Sequence, residues 1–426
     1  MPTLPASIEI PTSKPINGQV RIPGSKSLTN RAILISALAR GKSQLKGVLH
    51  SDDTKYMIQV WKKLGVKSEE VQDDLLIFGC NGNMSKCEQE LYVGNAGTAA
   101  RFMTAVLPLG KGEYILTGNE RMQQRPISDL ISSLNSLGVT VVDLNHSGCP
   151  PVKILASGLN GGTVTIPGDK SSQYVSALMM AAPYAMQETI INIEGELVSR
   201  TYVEMTRHIM RDFSVQCEWL DQQKLKIPPK QEYVGRSYEI EGDASSASYF
   251  FGMAAITGGE IRISGIRKNS TQGDLGLLNI LQRMGCSINW DDQGVVVKGH
   301  SLKAVDVDMN TMSDVAPTLA VIALFADGTT RIRNVGNMRI KECDRITATV
   351  TELRKLGATV EEWKDGLSVM GLGKYHGAEL ETYDDHRMAM SLTLAGLKIP
   401  GVIIQNPACV SKTFPRFYDM FLPLIQ

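Results

Sequence analysis

The chain has no excess of charge of either sign: Lys plus Arg is 44 and Asp plus Glu is 44 in 426 residues. A protein that holds nucleic acid by neutralising phosphates shows a basic excess, so that class is disfavoured, although local clusters stay open. Metal-ligand spacing is missing as well. Seven cysteines (80, 87, 149, 217, 286, 343 and 409) form no C-x-x-C pair, and six histidines are scattered. Neither a structural zinc site nor a disulfide framework is expected, and an odd number of thiols fits a reducing compartment.

Long apolar runs are absent too. The longest, VAPTLAVIALFA at 315–326, contains Pro317 and is about half of what a membrane span needs. MPTLPASIEIPTSK shows no charged-then-apolar leader pattern. A cytoplasmic, globular protein with no membrane partner is expected. The IPGSKS stretch lacks the early glycine of a phosphate-binding loop, and Ser25 separates Gly24 from Lys26. No G-x-G-x-x-G follows a strand, so no nucleotide cofactor is expected.

What the chain does have is repetition. Apolar residues make up 43% of it, ample for a core, and its length allows about two to four domains. A polar cluster followed by a helix rich in Ala, Leu and Met starts at Ser27, Gly97, Ser171, Ser245, Ser313 and Asp384, in steps of 70, 74, 74, 68 and 71 residues. A second pattern, an amphipathic helix ending in Leu-Gly and then a β-branched strand, interleaves with the first. Its marker positions are Leu64, Leu137, the degenerate Phe213, Met284 and Leu356. Glycine after the last apolar residue is a helix stop, because it takes the left-handed conformation without cost. The first helix type is apolar all round and predicts burial; the second predicts an outer layer. Six copies of roughly β-α-β-α-β-β predict two α/β domains of three units each.

The polar residues gather at helix starts. Lys26, Ser27 and Arg31 open the first inner helix, Asn95, Gly97 and Arg101 the next, and Ser171, Ser172 and Gln173 the third. Ser313 and Asp314 open the fifth, and Asp385, His386 and Arg387 the sixth. Arg125, Ser199 with Tyr202, Lys341 with Glu342 and Arg345, and Lys412 open outer helices. Serine, threonine and aspartate are ordinary N-caps. Capping does not explain Arg31, Arg101, Arg125, Lys341, Arg345, Arg387 and Lys412, since a cation near a helix N-terminus is unfavourable without an anion beside it. The pattern favours phosphate and carboxylate ligands. If three helices per domain aim at one surface, two such surfaces facing each other would enclose a compact, multiply anionic ligand. Asp314 and Glu342 among these cations are either ion-pair partners or a general base and a general acid.

These segments closely resemble the 5-enolpyruvylshikimate-3-phosphate synthase family. The resemblance rests on IPGSKSLTNRAILISALA (22–39), GNAGTAARF (94–102), RPISDL (125–130), GDKSSQYVSALMMAAP (168–183) and EGDASSASYF (241–250). It continues through SDVAPTLA (313–320), RIKECDR (339–345), DDHRMAM (384–390) and SKTFPRF (411–417), nearly the whole chain in family order. It implies two inverse α/β domains, each of three repeated units with helix N-termini toward an interdomain cleft. One would contain 22–241, on the shikimate 3-phosphate side, and a discontinuous one 1–21 with 242–426. The implied reaction moves the enolpyruvyl group of phosphoenolpyruvate to the 5-hydroxyl of shikimate 3-phosphate, with no cofactor, no metal and no nucleic acid.

By the same resemblance, Asp314 is the base and Glu342 the proton donor to the methylene, while Lys26 has an ambiguous proton role. Shikimate 3-phosphate would be held by Lys26, Ser27, Arg31, Ser171, Ser172, Gln173, Ser199, Tyr202, Asp314, Asn337 and Lys341. Phosphoenolpyruvate would be held by Lys26, Asn95, Gly97, Arg125, Gln173, Arg345, Arg387 and Lys412. Domain closure on ligands, a monomer and sensitivity to glyphosate are further implications. One departure stands out: many members have Met-Arg-Pro after GNAGTA, where this chain has Ala100-Arg101-Phe102. The sister family that uses UDP-N-acetylglucosamine carries a reactive cysteine on a loop, and none follows GNAGTAARF here. A non-catalytic binder of phosphorylated metabolites is the alternative from another class.

Overall fold

The computed structural model describes residues 4–72 and 74–425. It divides into two compact units, Met1–Pro23 with Glu241–Gln426, and Gly24–Ile240. Each has its own apolar core.

Twelve α-helices alternate in type along the described chain. They are α1 (Lys26–Leu38), α2 (Asp52–Lys63), α3 (Gly97–Val106), α4 (Ser128–Ser136), α5 (Ser172–Ala181) and α6 (Arg200–Asp212). The second half has α7 (Ala244–Thr257), α8 (Gly276–Met284), α9 (Ala316–Ala323), α10 (Arg345–Lys355), α11 (His386–Gly396) and α12 (Phe417–Phe421). The odd-numbered helices are the apolar ones. Every residue of α3, α7, α9 and α11 is buried. In one unit α7, α9 and α11 pack on one another; in the other α3 packs on α1 and α5. The even-numbered helices bury one face only, as Met57, Val60 and Trp61 of α2 show. Among the described residues no helix is long and apolar enough to cross a membrane.

The repeat is realised as a small sheet with two helices. Leu91–Tyr92 runs parallel to Gly112–Thr117, which pairs antiparallel with Val152–Ala156, which in turn pairs antiparallel with Thr140–Asp143. In chain order this is β-α-β-α-β-β, the unit that the two interleaved patterns predict. The same order of pairing recurs in the sheets built on Thr189–Glu194, Lys42–Lys46, Glu260–Ser264 and Thr329–Arg333.

Three copies take a strand from far away in sequence. The copy containing α1 takes its first strand from Ser237–Glu239, which pairs with Gln44–Lys46. The copy containing α7 takes Asn17–Arg21, paired with Glu260–Ser264. The sixth copy has a three-stranded sheet in which Ser7–Glu9 pairs antiparallel with Ile403–Gln405.

Helix ends follow the glycine signals. Gly65, Gly138, Gly285 and Gly357 all have positive φ directly after the outer helices. The degenerate copy has Ser214 there, at φ 73°. Two starts differ from the sequence expectation. Ser313 and Asp314 lie on a 3₁₀ turn, Asn310–Val315, and α9 begins only at Ala316. Pro317, in the first turn of α9, has no backbone N–H to give, so the residues before it close tighter turns instead. Lys412 likewise ends a 3₁₀ turn, Pro407–Lys412, five residues before α12.

Candidate active site

In the Gly24–Ile240 unit the helix starts place the expected polar groups. Ser25 caps α1 by accepting from the Leu28 N–H, and Lys26 and Ser27 form its first turn. Lys26 Nζ lies 3.8 Å from the buried carboxylate of Asp53, on the first turn of α2. Asp53 was not expected from the sequence, where it reads as an ordinary helix-start acid.

Arg31, one turn further along α1, is buried. Its Nε donates to Thr206 Oγ1 at 2.7 Å, Nη1 to the Ser27 carbonyl at 3.0 Å, and Nη2 to Ser176 Oγ and the Tyr202 carbonyl at 3.3 and 3.2 Å. Its guanidinium carbon lies 5.1 Å from the centre of the Phe102 ring and 5.9 Å from that of Tyr202. Burial pulls its pKa down to about 10, with Tyr202 acting in the other direction. One cation thus ties α1, α3, α5 and α6 together. Phe102, the departure from the family pattern, supplies one of its faces. Ser171 caps α5 by accepting from the Gln173 N–H at 3.2 Å, and Ser172 behind it is buried. Ser199, buried and left-handed at φ 54°, stands at the start of α6 three residues before Tyr202.

A second group surrounds the start of α3. Arg125 Nη1 donates to both the carbonyl and Oδ1 of Asn95, each at 3.1 Å. A Cβ added to Gly97 would stand 2.6 Å from Arg125 Nη2. Glycine is therefore needed for the arginine to lie over the first turn of the helix, where free N–H groups already favour an anion. Arg101 points back, with Nη2 donating to the Pro126 carbonyl at 2.9 Å.

The other unit holds a tighter cluster. Asp314 Oδ1 accepts from Lys341 Nζ and, at 3.1 Å, from Arg345 Nη1, while its Oδ2 accepts from Arg387 Nη2 at 2.7 Å. Arg345 Nη2 also donates to Glu342 Oε2 at 2.8 Å. Its Nε and Nη2 reach the two oxygens of Asp385 at 2.7 and 3.1 Å. Asp385 caps α11 by accepting from the backbone N–H of Arg387, so one buried carboxylate ties the Arg345 guanidinium to the start of α11. Only its cap position hinted at this role in the sequence. The three carboxylates keep Arg345 protonated against the opposing effect of burial. Burial lowers the Lys341 pKa, although Asp314 works against it. Lys341 also donates to Ser313 Oγ at 3.1 Å. Asn337 lies on the 3₁₀ turn Gly336–Ile340 just before Lys341, and Lys412 is buried at the end of its own turn.

Arg345 therefore joins the two expected proton-transfer groups, and Lys341 and Arg387 converge on one of them. Three cations face three carboxylates, an arrangement in which an anionic ligand can take over cations now held by acids. Among the described residues no group of His, Cys, Asp and Glu could hold a metal ion.

Known proteins resemble this chain along nearly its whole length. The family model described as EPSP synthase (3-phosphoshikimate 1-carboxyvinyltransferase) matches residues 10–421. A 3-phosphoshikimate 1-carboxyvinyltransferase of Photobacterium profundum is 47% identical over 416 residues, covering 96% of this chain and 97% of that protein. One from Vibrio vulnificus is 46% identical, covering 99% of each. An EPSP synthase structure from Acinetobacter baumannii aligns with a TM-score of 0.82 at 26% identity, over 97% of both chains. The repeat, the helix starts crowded with cations and the match along nearly the whole length agree: this chain belongs to the EPSP synthase family.

Proposed function

We propose that Asp314 and Glu342 are the proton-transfer groups of this enzyme, held in register by Arg345. The reaction itself comes with the family. The chain transfers the enolpyruvyl group of phosphoenolpyruvate to the 5-hydroxyl of shikimate 3-phosphate and releases phosphate, in the shikimate pathway to aromatic amino acids.

The chemistry asks for two proton movements. As the 5-hydroxyl oxygen attacks C2 of phosphoenolpyruvate, it gives up its proton and the methylene carbon gains one. Phosphate then leaves the tetrahedral intermediate, and the new methyl group gives a proton back. Asp314 accepts from three cationic side chains, and an anionic substrate that draws those cations away frees a carboxylate oxygen to take the hydroxyl proton. Glu342 is tied to Arg345 at 2.8 Å. Phosphoenolpyruvate, with its carboxylate and phosphate, competes for Arg345 and Arg387. As Arg345 turns to the substrate, its hold on Glu342 loosens and the Glu342 carboxyl hands a proton to the methylene. Lys26, 3.8 Å from Asp53, is the third catalytic candidate in this reading, a contact to both substrates whose proton role is ambiguous. The cations stabilise the charge that builds on carboxylate and phosphate.

The observation that carries this reading is the shared cation: Arg345 touches Asp314 at 3.1 Å and Glu342 at 2.8 Å. The proposed shikimate 3-phosphate set is Lys26, Ser27, Arg31, Ser171, Ser172, Gln173, Ser199, Tyr202, Asp314, Asn337 and Lys341. The proposed phosphoenolpyruvate set is Lys26, Asn95, Gly97, Arg125, Gln173, Arg345, Arg387 and Lys412. A cytoplasmic monomer inhibited by glyphosate completes the proposal.

Asp314→Asn and Glu342→Gln test it, with turnover and calorimetric binding measured on the same preparations. Turnover falls roughly a hundred- to ten-thousandfold if the groups move protons, while each substrate still binds. Full turnover in both variants would reduce Asp314 and Glu342 to ion-pair partners.

A further inference from the structure

Asp274 stands outside both proposed substrate sets. It lies on the 3₁₀ turn Gly273–Leu275, before α8, and is buried. Its Oδ2 accepts from the Ser245 hydroxyl, in the first turn of α7. Ser245 Oγ lies 3.3 Å from Arg387 Nη2, the nitrogen that also donates to Asp314 Oδ2 at 2.7 Å. Four elements, the turn at 273–275, α7, the turn at 310–315 and α11, thus meet at one guanidinium.

A hydroxyl carries a single hydrogen. With the Ser245 hydrogen given to the Asp274 carboxylate, an oxygen lone pair is left facing Arg387, which can only donate. The two hydrogen bonds are therefore polarised in one direction, from Arg387 to Ser245 to Asp274. A protonated Asp274 reverses this: its O–H points at the serine oxygen, the serine hydrogen turns elsewhere, and the acceptor offered to Arg387 weakens.

We propose that Asp274 is a positioning residue that, through the Ser245 hydroxyl, fixes the Arg387 guanidinium beside Asp314 in the orientation that receives phosphoenolpyruvate. The proposal rests on the reading of Arg387 as a phosphoenolpyruvate ligand. Charged groups facing Asp274 are Asp243 at the start of α7, Asp314 from the turn at 310–315 and Arg387 from α11. Burial first, and then the Asp314 charge, push its pKa up to about 6 against the pull of Arg387 and Ser245. The relay is fully polarised above that pH and weakens below it.

The test uses the full chain and steady-state kinetics with each substrate varied in turn. Ser245→Ala raises KM for phosphoenolpyruvate roughly tenfold, since it removes one hydrogen bond at a charged group, and Asp274→Asn raises it by a smaller factor, since a neutral amide oxygen takes the serine hydrogen more weakly than a carboxylate. KM for shikimate 3-phosphate stays near the wild-type value. The double variant is no worse than the worse single one, because both act on one chain of contacts. In the wild type, KM for phosphoenolpyruvate climbs as the pH falls through about 6, and in Ser245→Ala that climb flattens relative to wild type. Additive losses, or an unchanged KM for phosphoenolpyruvate in Ser245→Ala, would overturn the relay. Arg387→Gln separates the two levels. If it leaves KM for phosphoenolpyruvate unchanged, the reading of Arg387 fails and the relay with it. If it raises that KM while Ser245→Ala does not, only the relay fails. Thermal melting of Ser245→Ala, the smaller change, guards against loss of folding in Asp274→Asn.

Discussion

Gly97 and Arg125 occupy one space: a Cβ on residue 97 would stand 2.6 Å from Arg125 Nη2, inside van der Waals contact. The arginine lies over the first turn of α3 because nothing projects from that position. Its grip on Asn95, through both the carbonyl and Oδ1, depends on the same gap.

Gly97→Ala therefore displaces the guanidinium. KM for phosphoenolpyruvate rises roughly tenfold or more, as expected for a ligand-positioning group moved by a fraction of an ångström, while KM for shikimate 3-phosphate changes little. Inhibition by glyphosate weakens in the same variant, since the added methyl intrudes on the same volume. Steady-state kinetics with and without glyphosate check both. A wild type that turns over normally in millimolar glyphosate would contradict the second.

The Phe102 ring lies against the Arg31 guanidinium, whose central carbon is 5.1 Å from the ring centre. Phe102→Leu keeps the apolar volume and removes the ring face. A buried cation–π contact of about 1 kcal/mol is lost, so KM for shikimate 3-phosphate rises about fivefold. An unchanged KM would mean that the four hydrogen-bond acceptors of Arg31 suffice to hold it.

Asp274 makes a prediction about stability with a definite sign. Its folded pKa, about 6, lies above the ordinary aspartate value of 3.8. A group raised in this way contributes stability below the unfolded pKa, and that contribution is lost as the pH rises through the folded one. Above about pH 6 the buried carboxylate is a net cost, which Asp274→Asn removes. The variant melts above the wild type at pH 8, and the gap closes as the pH falls toward 5. The same substitution weakens phosphoenolpyruvate binding, so stability and function move in opposite directions. A variant less stable at every pH would contradict this.

Ser214 carries the outer-helix stop that glycine carries in four other copies, at φ 73°. A left-handed serine costs roughly 1 kcal/mol, part of which glycine gives back as unfolded-state freedom. Ser214→Gly raises the melting temperature by ~2 °C. A lowered melting temperature would mean that the serine side chain contributes more than its strain costs.

The repeat was legible because each helix carries its own punctuation. Gly65, Gly138, Gly285 and Gly357 mark helix ends locally, and the small-residue runs of α3, α7 and α11 mark burial. Strand partners were not legible. Ser237–Glu239 pairs with Gln44–Lys46, and Ser7–Glu9 with Ile403–Gln405; nothing within either segment specifies a partner that far away. At the site, the cations announced themselves by standing where helix starts disfavour them. The carboxylates behind them, Asp53, Asp274 and Asp385, did not, because a helix-start acid reads as a cap whether or not it holds an arginine. Ser245 was visible only as part of a polar cluster, since its role lies in which neighbour receives its hydrogen.

The most direct test measures phosphate release by the purified protein given phosphoenolpyruvate and shikimate 3-phosphate, with UDP-N-acetylglucosamine as a parallel acceptor. Release with shikimate 3-phosphate alone is the predicted result, and its loss in Asp314→Asn would tie it to the cluster around Arg345. Release with the nucleotide sugar alone, or with neither acceptor, would contradict the account.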